Sequence, residues 1–455
     1  MAGTTLPTGQ AGPHPMPRHM SRERIEIRAY RILTRLARPA APYILRMRER
    51  RGKEDSQRLG ERLGQPSIAR PSGPLIWVHA ASIGETSSVL PLLVALEQRY
   101  PELTALLTTG TVTSGRFAAS RISRRTIHQY VPLDEPSFVA SFLDHWRPSL
   151  GVFTEQEVWP NLVLSAAERG IPLALVNARM SERSFERWQR RSGVARALFS
   201  RFDVVLAQNA VLAERFATIG AQCVVVAGNL KIDAPAPPVD EAAHAALAGA
   251  LAARPRLIAA STHDTEELAI AEAHCRLAER ISGLVSIIAP RHPERGEAIA
   301  GAISALGLTV RRRSEGALPD GETDVYVADT IGELGTLYAT APVAFIGGSL
   351  IAHGGQNPIE AVRHGAVVVT GPSTHNFADA YAALVGAQAA IEVSGAGELA
   401  PTLALLLSEP ARIEAMRANA TRALHGLSGA LERTIAALAP YLPEQHDRLA
   451  LMGDA

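Results

Sequence analysis

Cysteine is nearly absent from this sequence: its 455 residues include two, Cys223 and Cys275, and neither belongs to a Cys-x-x-Cys pair. This excludes a disulfide framework and a cysteine-based zinc site, and it favours a reducing compartment. No stretch is apolar over the roughly eighteen residues that a membrane-spanning helix needs. Asp-x-Asp, paired-His and Glu/His metal-ligand spacings do not stand out either. We therefore expect a site that uses no metal and no cofactor.

Net charge is also small, at +1 over the whole chain, but it is unevenly distributed. Residues 18–53 contain 12 Lys and Arg against 3 Asp and Glu, which leaves a net −8 on residues 54–455. This separation predicts a basic anchor on a mildly acidic body and argues against a nucleic-acid partner. Residues 1–20 are rich in Pro, Gly, Thr and His and contain no signal-peptide core, so we expect a disordered lead.

Residues 21–56 have an amphipathic pattern. One helical face is apolar, and an arginine stripe lies beside it; the two sets are Ile25, Ala29, Ile32, Leu33 and Leu36, and Arg24, Arg28, Arg31, Arg35 and Arg38. A second basic cluster follows Pro39 and Pro42. Such a segment can lie on an anionic membrane surface with its arginines at the headgroups. The alternative is a surface helix that packs on the body with its arginines in solvent.

The length of the chain predicts two domains. Short apolar runs alternate with helical stretches in both halves, as in parallel, doubly wound sheets. The predicted strands are 76–79, 105–108, 128–131, 150–154, 173–177, 204–207, 224–227, 257–261, 285–289, 309–312, 325–328, 343–346 and 367–370. A proline-rich stretch after residue 233 separates the two halves of the chain. We predict an α/β protein with two Rossmann-like domains, 57–233 and 255–446, joined by a linker at 234–254 and facing a common cleft.

The loop His79-Ala80-Ala81-Ser82-Ile83-Gly84-Glu85 joins a predicted strand to a predicted helix. Ser82 and Glu85 have the spacing of a capping box, so Glu85 serves either as a helix cap or as a catalytic carboxylate at a ligand-binding strand end. Glu155 and Glu157 follow another apolar strand. Two carboxylates there are costly unless they meet a ligand or a partner, which favours a functional role.

Three loops of the second domain share one predicted design, a strand end followed by a helix start. They are Thr330-Ile331-Gly332-Glu333, Gly347-Gly348-Ser349 and the segment 354–360, in which Asn357 is the predicted N-cap, Pro358 the first helical residue and Glu360 the third after the cap. Backbone N–H groups at helix starts bind phosphate, which indicates a nucleotide site. Lys231 and the Arg291-His292 pair also follow strands and can face a diphosphate or a carboxylate, or simply solvent.

Together these motifs resemble one known family. The segments HAASIGE, TEQEVWPN, GNLKID, APRHPER, DTIGELGTLY and FIGGSLIAHGGQNPIEAVRHG, found in this order between about residues 58 and 393, are similar to the 3-deoxy-D-manno-octulosonic acid (Kdo) transferases of lipopolysaccharide assembly, glycosyltransferase family 30. The resemblance implies a GT-B fold. It also implies inverting transfer of Kdo from CMP-Kdo to the tetraacyl disaccharide lipid A precursor, with release of CMP.

The resemblance also assigns residues. It makes Glu85 the general base, with Glu155 and Lys231 stabilising the transition state. CMP is expected on three loops, through Pro290 and Arg291, Ile331, Gly332 and Glu333, and Asn357, Pro358, Ile359 and Glu360. The basic N-terminus replaces the apolar anchor common in the family, so we expect peripheral attachment to the cytoplasmic face of the inner membrane.

Two other functions fit the same residues. One is a GT-B transferase or epimerase that acts on a different nucleotide sugar, since glycine-rich loops suit both. The other is a non-catalytic lipid-binding module, against which Glu85, Glu155 and Lys231 argue.

Overall fold

The computed structural model describes residues 21–252 and 254–443. Two compact units divide this chain, one formed by the residues up to Lys231 together with those from Gly429 onward, the other by Ile232–Ser428. Within the described residues, the search for a helix of bilayer-crossing length and hydropathy finds no candidate.

The first unit contains a seven-stranded parallel sheet in the order β3-β2-β1-β4-β5-β6-β7. Its strands are β1 (Leu75–His79), β2 (Thr104–Thr109), β3 (Thr126–Tyr130), β4 (Leu150–Thr154), β5 (Leu173–Ala178), β6 (Val204–Ala207) and β7 (Val224–Val226). The helices up to the unit boundary are α1 (Ser21–Leu36), α2 (Ala41–Arg50), α3 (Leu59–Arg62), α4 (Ile83–Arg99), α5 (Val112–Ala119), α6 (Pro136–Trp146), α7 (Pro160–Glu168), α8 (Glu182–Arg190), α9 (Ser192–Phe199), α10 (Ala210–Thr218) and α11 (Leu230–Asp233).

Helices cover both faces of this sheet, because side chains along each strand alternate between two cores. In β1, Leu75 and Trp77 join one core with Phe142 and Phe199, whereas Ile76 and Val78 face the other. The apolar runs recognised in the sequence are continuous for this reason.

The second unit repeats the architecture with strand order β10-β11-β9-β8-β12-β13-β14, all parallel. Its strands are β8 (Arg256–Thr262), β9 (Val285–Pro290), β10 (Val310–Arg312), β11 (Val325–Val327), β12 (Val343–Ile346), β13 (Val367–Thr370) and β14 (Ala390–Glu392). Its helices are α12 (Glu241–Leu251), α13 (Glu266–Ala278), α14 (Gly296–Ser304), α15 (Leu334–Thr340), α16 (Pro358–Arg363), α17 (Ala378–Gly386), α18 (Leu399–Ser408) and α19 (Pro410–Leu427). The doubly wound α/β class is confirmed, and each predicted strand is present with its ends shifted by at most two residues.

The domain limits differ from the predicted ones in two places. The predicted linker 234–254 contains α12, whose Leu247 and Leu251 are buried in the core of the second unit. At the other end, α20 (Ala430–Leu438) belongs to the first unit, because Ile435 and Leu438 are buried with side chains of α4. The predicted lead, residues 1–20, and residues 444–446 lie outside the described residues.

The amphipathic segment at 21–56 forms α1 and α2 and belongs to the first unit. Helix α1 is attached by its polar side: Tyr30 Oη donates to Asp134 Oδ2 at 2.9 Å, and Arg31 lies 2.8 Å from a carboxylate oxygen of Glu168. Its apolar side is turned outward, with Ile32 57% and Leu36 72% exposed. Helix α1 therefore packs on the body through its polar side, where Arg31 forms an ion pair.

Candidate active site

Glu85 and Glu155 lie at the point where the strand order of the first sheet reverses. Strands β1 and β4 are neighbours, but the chain visits β2 and β3 between them, so the loops after β1 and β4 diverge at this edge. Such a reversal opens a crevice outside the carboxyl ends of the strands, where α/β proteins bind ligands. Glu85 is in the first turn of α4 after β1, and Glu155 directly follows β4.

Half of the capping box predicted for Glu85 is present: Ser82 caps the helix, but the Glu85 carboxylate bonds the Ser82 hydroxyl and the Ala81 N–H and not the Ser82 N–H. Ser82 is the N-cap of α4, and its Oγ accepts from the Glu85 N–H at 3.3 Å. In return, Glu85 Oε1 accepts from Ser82 Oγ at 2.7 Å, and Glu85 Oε2 accepts from the Ala81 N–H at 2.9 Å. The carboxylate is thus fixed in one orientation at a residue that is 8% exposed.

Burial also raises the pKa of Glu85 to about 7. The hydrogen bond from Ser82 opposes this shift, and the negative charges of Glu157 and Glu155 add to it. A carboxyl group with this pKa can accept a proton near neutral pH, which a general base must do. Capping and proton transfer are therefore compatible roles for Glu85.

Lys231 forms an ion pair with Glu155 across 76 positions of sequence. Lys231 Nζ donates to Glu155 Oε1 at 2.9 Å, and both side chains are less than one-fifth exposed. A Cβ atom placed on Gly84 would lie 4.0 Å from the same Nζ, so the ammonium group is also close to the start of α4. The structure therefore brings Glu85, Glu155 and Lys231 to one corner of the first unit.

Asn177 supports this corner, and the sequence analysis did not single it out. Its Oδ1 accepts from the Leu230 N–H at 3.1 Å, which fixes the residue before Lys231. Asn177 and Glu155 both have left-handed backbone, with φ of +51° and +57°. Such conformations cost energy in residues other than glycine and concentrate at functional sites. Two adjacent strand ends with this feature are a structural signal that spacing in the sequence does not contain.

Two neighbouring residues have other environments. Glu157 accepts from Trp159 Nε1 at 3.0 Å, and burial raises its pKa. His79 is fully buried at the end of β1, with Nδ1 3.0 Å from Thr108 Oγ1. Burial lowers the pKa of His79 to about 4, so its ring is neutral at physiological pH.

The residues expected to bind CMP lie in three loops at the carboxyl ends of strands in the second unit. Pro290 is the last residue of β9, and the Arg291 N–H donates to Thr262 O at 2.9 Å. Ile331 and Gly332 precede α15, and the Ile331 side chain is 87% exposed. An exposed aliphatic side chain at a strand end is available to pack against a flat ligand.

The carboxylates in these loops differ in electrostatic state. Arg313 Nη2 donates to Glu333 Oε1 at 2.6 Å, and this hydrogen bond lowers the pKa of Glu333. Burial raises the pKa of Glu360, which accepts from Asn357 Nδ2 at 3.1 Å. Asn357 is the N-cap of α16 as predicted, and its Oδ1 accepts from the Ile359 N–H; Pro358 is the first helical residue.

The loop Gly347-Gly348-Ser349 was predicted to offer free backbone N–H groups at a helix start, and the structure differs. No helix starts there, and its backbone N–H groups already have an acceptor. The buried carboxylate of Glu266 accepts from Gly348 at 2.7 Å, Ser349 at 3.1 Å and Leu350 at 3.0 Å. The prediction of free N–H groups at this loop is wrong, because a side chain from the start of α13 fills the cradle.

Comparison with known proteins extends these observations. The sequence profile of the 3-deoxy-D-manno-octulosonic-acid transferase (kdotransferase) family matches residues 57–234. A 3-deoxy-D-manno-octulosonic acid transferase of Bordetella pertussis is 38% identical over 388 residues, which are 82% of this chain and 90% of that protein. A probable mitochondrial 3-deoxy-D-manno-octulosonic acid transferase of Arabidopsis thaliana is 36% identical over 398 residues, 85% of this chain and 89% of its own.

The fold is shared more widely than the sequence. The crystal structure of a UDP-GlcNAc 2-epimerase from Neisseria meningitidis bound to UDP-GlcNAc matches with a TM-score of 0.54 at 12% identity, covering 80% of this chain and all of that one. This likeness shows the fold alone, that of paired Rossmann-like domains in the GT-B class. The identity to the transferases, sustained over most of each chain, shows more: this chain belongs to the Kdo transferase family.

Proposed function

We propose that this protein transfers Kdo from CMP-Kdo to the tetraacyl disaccharide lipid A precursor, with inversion at the anomeric carbon and release of CMP. Membership of the Kdo transferase family supports transfer of Kdo. The observation that carries the mechanism is the oriented Glu85 carboxylate with a pKa of about 7, beside the Glu155–Lys231 ion pair.

In this mechanism Glu85 removes the proton from the acceptor hydroxyl. The hydroxyl oxygen then forms a bond to the anomeric carbon of Kdo, and the bond from that carbon to the CMP phosphate oxygen breaks with both electrons remaining on CMP. One displacement without a covalent intermediate inverts the anomeric configuration. The hydrogen bonds from Ala81 and Ser82 leave the direction of the carboxylate fixed, which suits proton transfer in a defined geometry.

Lys231 would stabilise the charge that develops as CMP leaves, and Glu155 would hold the ammonium group in place. The 2.9 Å contact between them supports this division of roles, because a lysine on a flexible stem needs a partner to be positioned. The second unit would bind CMP through the loops that contain Arg291, Ile331 and Asn357.

The test is a transfer assay with the full chain in detergent. CMP-Kdo, regenerated during the assay because the donor is labile, is supplied with the tetraacyl lipid A precursor, and products are followed by mass spectrometry. We expect addition of Kdo by the wild type and none by Glu85→Ala. A Glu186→Gln variant, which alters an exposed carboxylate of the same unit, serves as the matched control and should retain activity. If the wild type transfers no Kdo but binds another nucleotide sugar, the proposed transfer of Kdo is refuted.

We also propose that the protein attaches peripherally to the cytoplasmic face of the inner membrane through α1 and α2. The orientation of α1 supports this, since hydrogen bonds attach its polar side to the body and its apolar side faces outward. Helix α2 adds Tyr43, which is 73% exposed. Exposed arginines flank these apolar side chains and suit anionic headgroups.

Vesicle co-sedimentation tests the attachment. The wild type is expected to bind vesicles of phosphatidylcholine with phosphatidylglycerol more tightly than vesicles of phosphatidylcholine alone. Ile32→Asp/Leu36→Asp should lower this binding at least about tenfold, because each loses the burial of an aliphatic side chain. Val211→Asp, at an aliphatic residue of α10 that is 60% exposed, is the control. If the Ile32→Asp/Leu36→Asp variant binds the anionic vesicles as tightly as the Val211→Asp control, the proposal is contradicted.

A further inference from the structure

Four histidines lie at the carboxyl end of the second sheet, one after each of four adjacent strands. His292 follows β9, His263 follows β8, His353 follows β12 and His375 follows β13. The order of the chain reverses between β8 and β12, so this is also the position at which such a sheet binds ligands. Of the four, only His292 was noted from the sequence.

The rings are packed closely around His263. The centroids of His263 and His353 are 4.1 Å apart with their planes inclined by 40°, and His292 is 6.0 Å from His263. Gly348 permits this approach, since a Cβ atom there would lie 3.1 Å from His353. Gln356 Nε2 lies 3.1 Å from His263 Nε2, a hydrogen bond in which the amide donates to a neutral ring.

An anion at this position would need side chains to hold it. The backbone N–H groups that usually bind phosphate at such a switch point are those of the loop after β12, and Glu266 already occupies them. Glu266 Oε2 also accepts from the His263 N–H at 3.0 Å. The imidazole rings and the exposed Arg291 are donors at this strand end.

The groups around His263 are mainly cationic, which favours an anionic ligand. Burial lowers the pKa of His263 to about 4, with additional effects from His353, His292, Arg291 and Arg295, which face it. These four neighbours are cations or can become cations. The carboxylates beside the cluster are Glu266, which accepts from the His263 N–H, and Glu294, which lies 3.5 Å from His292 Nδ1. A bound anion would oppose the lowering of the His263 pKa. No group of three His, Cys, Asp or Glu side chains in residues 21–252 and 254–443 is placed to hold a metal ion.

We propose that His263, His353 and His292 form, with Arg291, a subsite for an anionic group of the nucleotide-sugar donor, either its phosphate or its sugar carboxylate. This inference rests on the proposed function and deepens it, because it adds three histidines to the residues expected to bind the donor.

Isothermal titration of the full-length protein tests the subsite with three probes: CMP, cytidine and free Kdo. Titrations are made at about pH 8, where the CMP phosphate with its second pKa of about 6 is already a dianion. His263→Gln and His353→Gln are compared with His425→Gln, an exposed histidine of α19.

If the phosphate occupies the subsite, the wild type binds CMP more tightly than cytidine. Each cluster variant then binds CMP about tenfold more weakly or worse, with unchanged affinity for cytidine. If the carboxylate occupies it, these effects appear instead when Kdo is added to CMP-saturated protein. Unchanged cytidine binding also shows that the variants are folded, and His425→Gln should match the wild type throughout.

If both cluster variants bind all three probes with the affinity of the wild type, the proposed subsite is refuted. If the wild type still transfers Kdo in that case, the proposed function survives alone. A wild type that binds neither CMP nor Kdo and transfers nothing would overturn both proposals together.

Discussion

Replacing Glu85 by glutamine is expected to stabilise the first unit above neutral pH while it removes the group that accepts the proton. The amide can keep both capping contacts: its oxygen can accept from the Ala81 N–H, and its nitrogen can donate to Ser82 Oγ, where the carboxylate now accepts. The variant therefore differs from the wild type in charge far more than in shape.

The magnitude follows from the shifted titration. The pKa of Glu85 rises from 4.5 to about 7, chiefly through burial, and this shift corresponds to about 3 kcal/mol. Because the folded carboxyl group holds its proton more tightly than the unfolded one, the free energy of unfolding falls as pH rises from about 4.5 to beyond 7. Glutamine does not titrate, so the variant should lack this part of the fall.

Urea unfolding followed by tryptophan fluorescence measures the effect in the correct unit, because the four tryptophans all belong to the first unit: Trp77, Trp146, Trp159 and Trp188. We expect the stability difference between Glu85→Gln and wild type to grow by up to about 3 kcal/mol between about pH 5 and about pH 8.5. Glu186→Gln should show no such change. Parallel pH dependence in Glu85→Gln and wild type would refute the argument.

The same residue should govern the pH dependence of catalysis. The kcat/KM of the wild type is expected to rise with an apparent pKa of about 7 as Glu85 loses its proton. Glu85→Gln should lower kcat about 100- to 10,000-fold, the usual contribution of a general base. Activity retained in this variant would show that another group removes the proton.

Three further substitutions test the contacts described above. Lys231→Met should lower kcat about 100-fold, and adding Glu155→Gln should lower it little more if the pair acts as a unit, as steady-state kinetics of the single and double variants would show. Glu266→Gln should destabilise the second unit by about 3 kcal/mol, because one of the two carboxylate oxygens becomes an NH2 group and the buried N–H groups bonded to it lose their acceptor; circular dichroism during urea unfolding measures this. Gly335→Ala should cost about 2 kcal/mol in the same experiment, since a Cβ atom would lie 2.3 Å from Pro238 O.

The sequence predicts strands well here because both sheets are covered by helices, so each strand is a continuous apolar run. Strand β14 (Ala390–Glu392) was missed because it is three residues long and follows an alanine-rich stretch with helical character. Helix α12 was placed in the linker because the prolines just before it obscure where the chain regains periodicity. Such errors concern short or weakly patterned segments, where packing decides the outcome.

The individual loops of the site could be predicted from the sequence, but the contacts between them could not. The helix cap at Ser82 and its contact with Glu85 are local, so the spacing of these two residues predicts them. The ion pair between Glu155 and Lys231 depends on strand order and on the contact from Asn177 to Leu230, which no local pattern reveals. The failure at Gly347–Ser349 has the same cause, because Glu266 reaches this loop from the other side of the switch point.

The return of the chain to the first unit at α20 has a consequence for synthesis on the ribosome. Ile435 and Leu438 complete the core against α4, the helix that carries Glu85, and Arg433 Nε donates to Ala227 O at 2.8 Å near Lys231. These contacts cannot form until all of Ile232–Ser428 has been translated, which takes about 10 to 40 s at ordinary elongation rates. A nascent chain therefore exposes an unfinished face of α4 during that interval, and the corner is completed only after α20 has been translated.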